Sequence, residues 1–148
     1  MIEVQDLIDS FGERELIALS DRHKTGAIDL GVANKAILEA EAEVASYLIP
    51  AKLVLADYET HSYRFFTGQT PDALKAKVCD IARYRLYEDG VTTIVEDRYK
   101  QALEWLRLVM KNPTMLCADL NAEQKSSGIS VKANSAPSQW EDYLFAGA

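Results

Sequence analysis

The stretch Asp21-Arg22-His23-Lys24-Thr25-Gly26-Ala27-Ile28-Asp29 carries acids, a glycine and an apolar residue at offsets that resemble part of an EF-hand loop. Calcium asks for about six to eight oxygen ligands, with a bidentate glutamate closing the loop. Here His23 and Thr25 replace oxygen-rich ligands, and Val32 stands where that glutamate belongs. The segment therefore reads as a turn that leads into a helix cap. His23 and His61 lie in separate loops, neither with a Cys or His partner at zinc-ligand spacing. Cys79 falls within an apolar helical stretch, without the electropositive surroundings that make a thiol reactive. There is no GxSxG elbow, glycine-rich phosphate loop or HExxH pair. Carboxylates are numerous but scattered over helix faces, so no catalytic residue, metal ligand or cofactor is expected. An enzyme would need polar groups that only folding could bring together.

The chain has 148 residues and reads as one domain with an apolar core that needs no disulfide or metal to hold it. Its 48% hydrophobic and 26% charged residues are those of an ordinary globular protein, and no apolar run approaches the roughly 20 residues that span a bilayer. A membrane protein is therefore not expected. Cys79 and Cys117 lack CxxC spacing and read as free thiols. The opening Met1-Ile2-Glu3-Val4-Gln5-Asp6 lacks the basic start and apolar stretch of a secretory signal, so the expected compartment is the cytoplasm. The net charge of -7 works against a large contact with nucleic-acid phosphates, which depends on Lys and Arg displacing counterions. It suits a basic protein partner, or a channel wall past which DNA slides without sticking.

These groups must be positioned by helices. Residues Val4 to Ser20 read as one or two short helical pieces with a break at Gly12. Asp29 can cap a helix that runs to about Leu48, with Ala33, Ala36, Ile37, Ala40, Val44, Tyr47 and Leu48 inward. The alanines leave room for a second helix backbone, while Glu39, Glu41 and Glu43 lie to the sides. From residue 49 to 69 the helical period is lost, and Pro50, Tyr58, Tyr63, Phe65, Phe66 and Gly68 suggest a long loop or hairpin excursion. Thr70-Pro71 reads as cap and first helical residue of a helix reaching about Glu88, with Leu74, Val78, Ile81, Ala82 and Leu86 inward. Thr93 and Glu96 have capping-box spacing at the start of the last helix. Its core stripe is Val95, Tyr99, Ala102, Leu103, Leu106, Val109 and Met110, and Asn112-Pro113 ends it. The expected fold is thus all-α, a small bundle of about four main helices over residues 1–113, with an extended tail at 114–148.

Asp80 and Arg83 are spaced for an i,i+3 ion pair, and Arg85 lies within i,i+4 reach of Asp89. These groups read equally well as surface pairs or as part of a subunit interface. Tyr84, Tyr87, Trp105 and Leu108 extend beyond the core stripes, more aromatic surface than so small a protein buries alone, which makes them interface candidates too. Trp140, Tyr143, Leu144 and Phe145 close a polar tail and are expected to anchor it on a partner.

Three segments carry a resemblance. Asp6-Leu7-Ile8-Asp9-Ser10-Phe11-Gly12-Glu13-Arg14-Glu15-Leu16 resembles the opening of the Mu-like phage and prophage neck proteins, a family long catalogued as a domain of unknown function. Cys79-Asp80-Ile81-Ala82-Arg83-Tyr84-Arg85-Leu86-Tyr87 is similar to that family's central helix, and Asp97-Arg98-Tyr99-Lys100-Gln101-Ala102-Leu103-Glu104-Trp105-Leu106 to its last helix. The resemblance runs from about Val4 to Met110. It departs at Leu48-Ile49-Pro50, which a longer aromatic segment follows, and at Lys111-Asn112-Pro113, where the family has a glycine. It implies a structural, non-enzymatic head-to-tail connector, similar in fold to adaptor proteins that form a twelve-fold ring beneath the portal. The implied partners are the portal and other neck and tail proteins, with DNA passing through the channel unread. The implied location is the bacterial host cytoplasm during assembly and the virion neck afterwards. The rival reading is a helical prophage-encoded regulator acting as a monomer or dimer.

Overall fold

A computed structural model describes residues 1–116. The expected tail conformation, the anchor Trp140, Tyr143, Leu144 and Phe145, and Cys117 lie outside the described residues.

Two short helices open the chain, α1 (Val4–Phe11) and α2 (Glu13–Ser20). They are separated by Gly12, whose φ of 89° is a conformation that side chains disfavour. The Gly12 N–H still closes α1 by donating to the Ile8 carbonyl at 2.8 Å. Helix α3 (Leu30–Leu48) starts where Asp29 predicts. The Asp29 side chain accepts from the N–H groups of Gly31 and Val32, two donors that the helix itself cannot satisfy.

The 49–69 excursion is an antiparallel hairpin of β1 (Val54–Asp57) and β2 (Ser62–Phe65), so the fold is mainly helical but not strictly all-α. Val54 pairs with Phe65 and Ala56 with Tyr63. Period-two alternation over four residues buries Val54 and Phe65 while Leu55 and Arg64 face outward. A two-stranded ribbon is marginal alone. This one is held by its buried root, Leu53, Val54 and Phe65, and by the Leu53 N–H donating to the Leu48 carbonyl at the end of α3.

Helix α4 (Asp72–Leu86) begins one residue later than Thr70-Pro71 suggests. Pro71 is the cap with extended backbone, no side chain caps the helix, and Thr70 is buried instead. Helix α5 (Thr93–Lys111) is capped by Thr92 rather than Thr93, the Thr92 hydroxyl accepting from the Val95 N–H at 3.4 Å. A 3-10 turn, Pro113–Met115, follows.

Helix α4 packs against both α3 and α5, and α3 and α5 also touch directly. The small residues Ala33, Ala36 and Ala40 on α3 and Ala82 on α4 are buried, consistent with close helix approach. Around them Leu7, Leu16, Val44, Leu48, Leu74, Val78, Ile81, Leu86, Val95, Leu106 and Val109 are fully buried, each contributing on the order of 1.5–3 kcal/mol. Two side chains depart from the expected stripes. Met110 is exposed, because α5 turns it beyond the contact with its neighbours. Glu41 is buried, because its carboxylate receives the Met1 amino group and, at 2.9 Å, the Ile2 N–H.

Candidate subunit interface

The two charged candidates on α4 find partners on other helices rather than on their own. Arg83 does not pair with Asp80. Its Nε donates to Glu15 of α2 at 2.5 Å, and its guanidinium lies 4.6 Å from the centre of the Phe11 ring, a cation–π contact. Asp80 faces Arg98 of α5 at 3.7 Å. Burial pushes the Asp80 carboxyl above the ordinary carboxylate range, and Arg98 offsets part of that shift. Arg85 likewise passes over Asp89 and donates to Glu43 of α3 at 2.7 Å. Inter-helix partners win because they are half-buried and held by packing, whereas an i,i+3 surface pair is screened by water.

Tyr84 stacks on Tyr99 of α5, with ring centres 3.9 Å apart and planes 6° from parallel. The Tyr99 hydroxyl donates to Glu43 at 2.7 Å. Burial first, then that bond and the Glu43 charge, push the Tyr99 hydroxyl up to about 12. Glu43 is thus a hub joining α3, α4 and α5, and sequence reading misses it because its partners lie 42 and 56 residues away. Tyr87 closes α4 and is half-buried. Trp105 is half-buried, and Leu108 is 53% exposed on the outer side of α5.

A shallow cleft of about 460 Å³ lies among Ser10, Phe11, Ala76, Lys77, Cys79, Asp80, Arg98 and Gln101. Burial pushes the Cys79 thiol up to about 11, so it stays protonated and is a poor nucleophile at neutral pH. The 21–29 loop is closed by its own backbone. Asp21 accepts the N–H groups of Thr25 and Gly26, at 2.9 and 2.6 Å, and these bonds hold its carboxyl below the ordinary range. Among the described residues, no group of three or more His, Cys, Asp or Glu side chains is placed to hold a metal. Among the same residues every buried side-chain nitrogen or oxygen has a hydrogen-bond partner. No described helix is long and apolar enough to cross a membrane.

The three segments singled out in the sequence converge here. Phe11 and Glu15 from the first meet Arg83 from the second, and Asp80 and Tyr84 from the second meet Arg98 and Tyr99 from the third. A family model described as Bacteriophage Mu, Gp36 matches residues 2–134. The chain belongs to this Mu phage protein family. No curated protein matches the chain. The match runs past the described residues to residue 134, and its span takes in the hairpin, the segment longer than the link that the resemblance implied.

Proposed function

We propose that this phage protein is a structural subunit of the tailed-phage neck, a ring-forming head-completion or adaptor protein that joins the portal to the tail. Membership of the Mu phage family across residues 2–134 is the observation that carries the reading. The residue chemistry supports it. The described residues build a connected helical core, while Leu38, Leu108 and the half-buried Trp105 leave apolar surface on outer helix faces for a neighbour. The acidic balance, -7 overall, suits a channel that DNA must traverse without adhering. The role asked of the protein is assembly, not catalysis, and its partners are the portal, other neck and tail proteins and further copies of itself. Assembly takes place in the host cytoplasm and the finished site is the virion neck.

In this reading Trp140, Tyr143, Leu144 and Phe145 dock on the portal or an adjacent subunit. Deletion of residues 138–148 tests it by portal pull-down alongside helical circular dichroism. The expected outcome is loss of assembly on the portal, with the chain left as a monomer whose helical signal is intact. Normal ring assembly on the portal by the truncated chain refutes the anchor. Failure of the full-length chain to bind the portal at all favours the rival, a regulator acting as a monomer or dimer.

A further inference from the structure

Two outer helix faces each place a large exposed leucine beside a pair of opposite charges. On α3, Leu38 is 51% exposed, and the exposed Lys35 and Glu39 lie beside it. On α5, Leu108 is 53% exposed, and the exposed Glu104 and Lys111 lie beside it. The order along the chain is reversed, cation before anion on α3 and anion before cation on α5. At a rise of 1.5 Å per residue, Lys35 sits about 4.5 Å before Leu38 and Glu39 about 1.5 Å after it. Glu104 sits about 6 Å before Leu108 and Lys111 about 4.5 Å after it.

The charges also lie on opposite flanks of the two leucines. At about 100° per residue, Lys35 and Glu39 are turned about 60° and 100° to one side of Leu38. Glu104 and Lys111 are turned about 40° and 60° to the other side of Leu108. Two helices packed parallel and face to face bring opposite flanks together, whereas antiparallel packing brings like flanks together, the geometry by which flanking charges set orientation in coiled coils.

The two faces do not meet within the subunit. The direct hydrogen bond between these helices joins Glu43 and Tyr99. Leu108 lies nine residues from Tyr99, about 180° around a helix of 3.6 residues per turn, and Leu38 lies about 140° around α3 from Glu43. Both leucines are therefore turned away from the contact between α3 and α5. Lys35 and Glu39 approach each other only to 3.9 Å, with 79% of the lysine side chain exposed. Glu104 and Lys111 have no ion-pair partner among the described residues.

We propose that the Lys35–Leu38–Glu39 face of α3 packs parallel against the Glu104–Leu108–Lys111 face of α5 on a second copy of the chain, forming the repeating contact of the ring. This rests on the ring reading above and names its interface. With Leu38 set against Leu108, parallel packing brings Lys35 level with Glu104 to within about 1.5 Å along the axis, and Glu39 to within about 3 Å of Lys111. Ala42, exposed one turn beyond Leu38, leaves room for the aliphatic stem of Lys111. Antiparallel packing would instead turn Lys35 and Glu39 toward the flank that carries Trp105, where no acid waits for the lysine, so the charges select one orientation. Because the two faces differ, the contact is head-to-tail, the kind that generates a closed ring when the rotation between copies permits. In the parallel arrangement the half-buried Trp105 falls beside the uncharged Asn34 and widens the apolar centre of the contact.

The test uses full-length chains carrying Cys117→Ser, with the purified portal present. Leu38→Cys and Leu108→Cys proteins are oxidised separately and as a mixture. Covalent dimer that accumulates only in the mixture is the expected result. Charge reversal supplies the second arm: Glu104→Lys loses rings, and Lys35→Glu in the same chain regains them. Rings that form normally, without the cross-link and insensitive to both reversals, overturn this interface and leave the ring reading standing. A cross-link in the mixture without rescue by the paired reversal overturns the parallel orientation. Dimer formed equally by Leu38→Cys alone shows a symmetric face and overturns the proposal as well, as does cross-linking of either variant to the portal instead. Absence of rings from the unaltered chain with portal overturns both the interface and the ring.

Discussion

Removing the Glu43 carboxylate should cost far more than an outer helix charge ordinarily contributes. Glu43 accepts the Tyr99 hydroxyl and an Arg85 nitrogen, each at 2.7 Å, and only 17% of its side chain is exposed. A hydrogen bond to a charged group contributes about 1.5–3 kcal/mol, and the half-exposed ion pair to Arg85 adds about 0.2–1 kcal/mol. Glu43→Ala is therefore expected to lower unfolding free energy by about 2–4 kcal/mol. Tyr99→Phe keeps the ring on Tyr84 and deletes only the hydroxyl, for about 1.5–3 kcal/mol. Both substitutions break the same bond, so the double variant should fall short of the sum by about 1.5–3 kcal/mol. Urea unfolding followed by helical circular dichroism reads all four corners of the cycle, with an unchanged slope confirming that the unfolded states are comparable. Additivity within about 0.3–0.5 kcal/mol would mean the two groups are not coupled, and the hub would be an accident of side-chain placement.

Other positions give independent checks. Leu106 is fully buried, so Leu106→Ala is expected to cost about 2–5 kcal/mol in thermal or urea unfolding; a loss under about 1 kcal/mol, on the same scale, would contradict the packing. Tyr99 titrates at about 12 when folded, above its ordinary value of 10, so the stability it contributes is complete below pH 10 and disappears as pH rises to about 12. Tyrosinate absorbance should accordingly lose its highest-pH step in Tyr99→Phe, and an unchanged highest step would refute the shift. Burial raises the Asp80 carboxyl, so this charge works against folding at neutral pH and its protonation on acidification relieves the strain. Arg98→Ala should then cost about 1 kcal/mol near neutrality and less as pH falls through the Asp80 titration, while Asp80→Asn costs little. Equal costs for the two substitutions at every pH would contradict this.

Much of the helical scaffold is legible from local pattern, and the reasons are specific. The start of α3 follows from Asp29, because its carboxylate supplies the acceptor that the free N–H groups need, and the Ala33, Ala36 and Ala40 spacing marks the face that meets another helix. The start of α5 is off by one residue because Thr92 and Thr93 carry the same hydroxyl, and only the backbone at Thr92 suits a cap. At Thr70-Pro71 the motif misleads, since burial of Thr70 removes it from capping and moves Pro71 to the cap position. The excursion at 49–69 is legible as a loop or hairpin from the loss of helical period, but a four-residue strand has too few alternations to decide between the two. Pairing is least legible of all. Nothing local to Arg83 or Arg85 points to Glu15 or Glu43, which are brought there by tertiary packing of α2 and α3. Glu41 reads as a solvated side charge until the Met1 amino group and Ile2 N–H are seen around it.

The neck reading stands or falls on stoichiometry. Native mass measurement with negative-stain imaging of the full-length chain, alone and then mixed with the portal protein encoded nearby, tests it most directly. Closed rings of the chain seated on the portal, with one subunit contacting the next through unlike faces, are the expected result. A chain that remains monomeric or dimeric and never joins the portal would contradict the account and turn attention to host proteins as its partners.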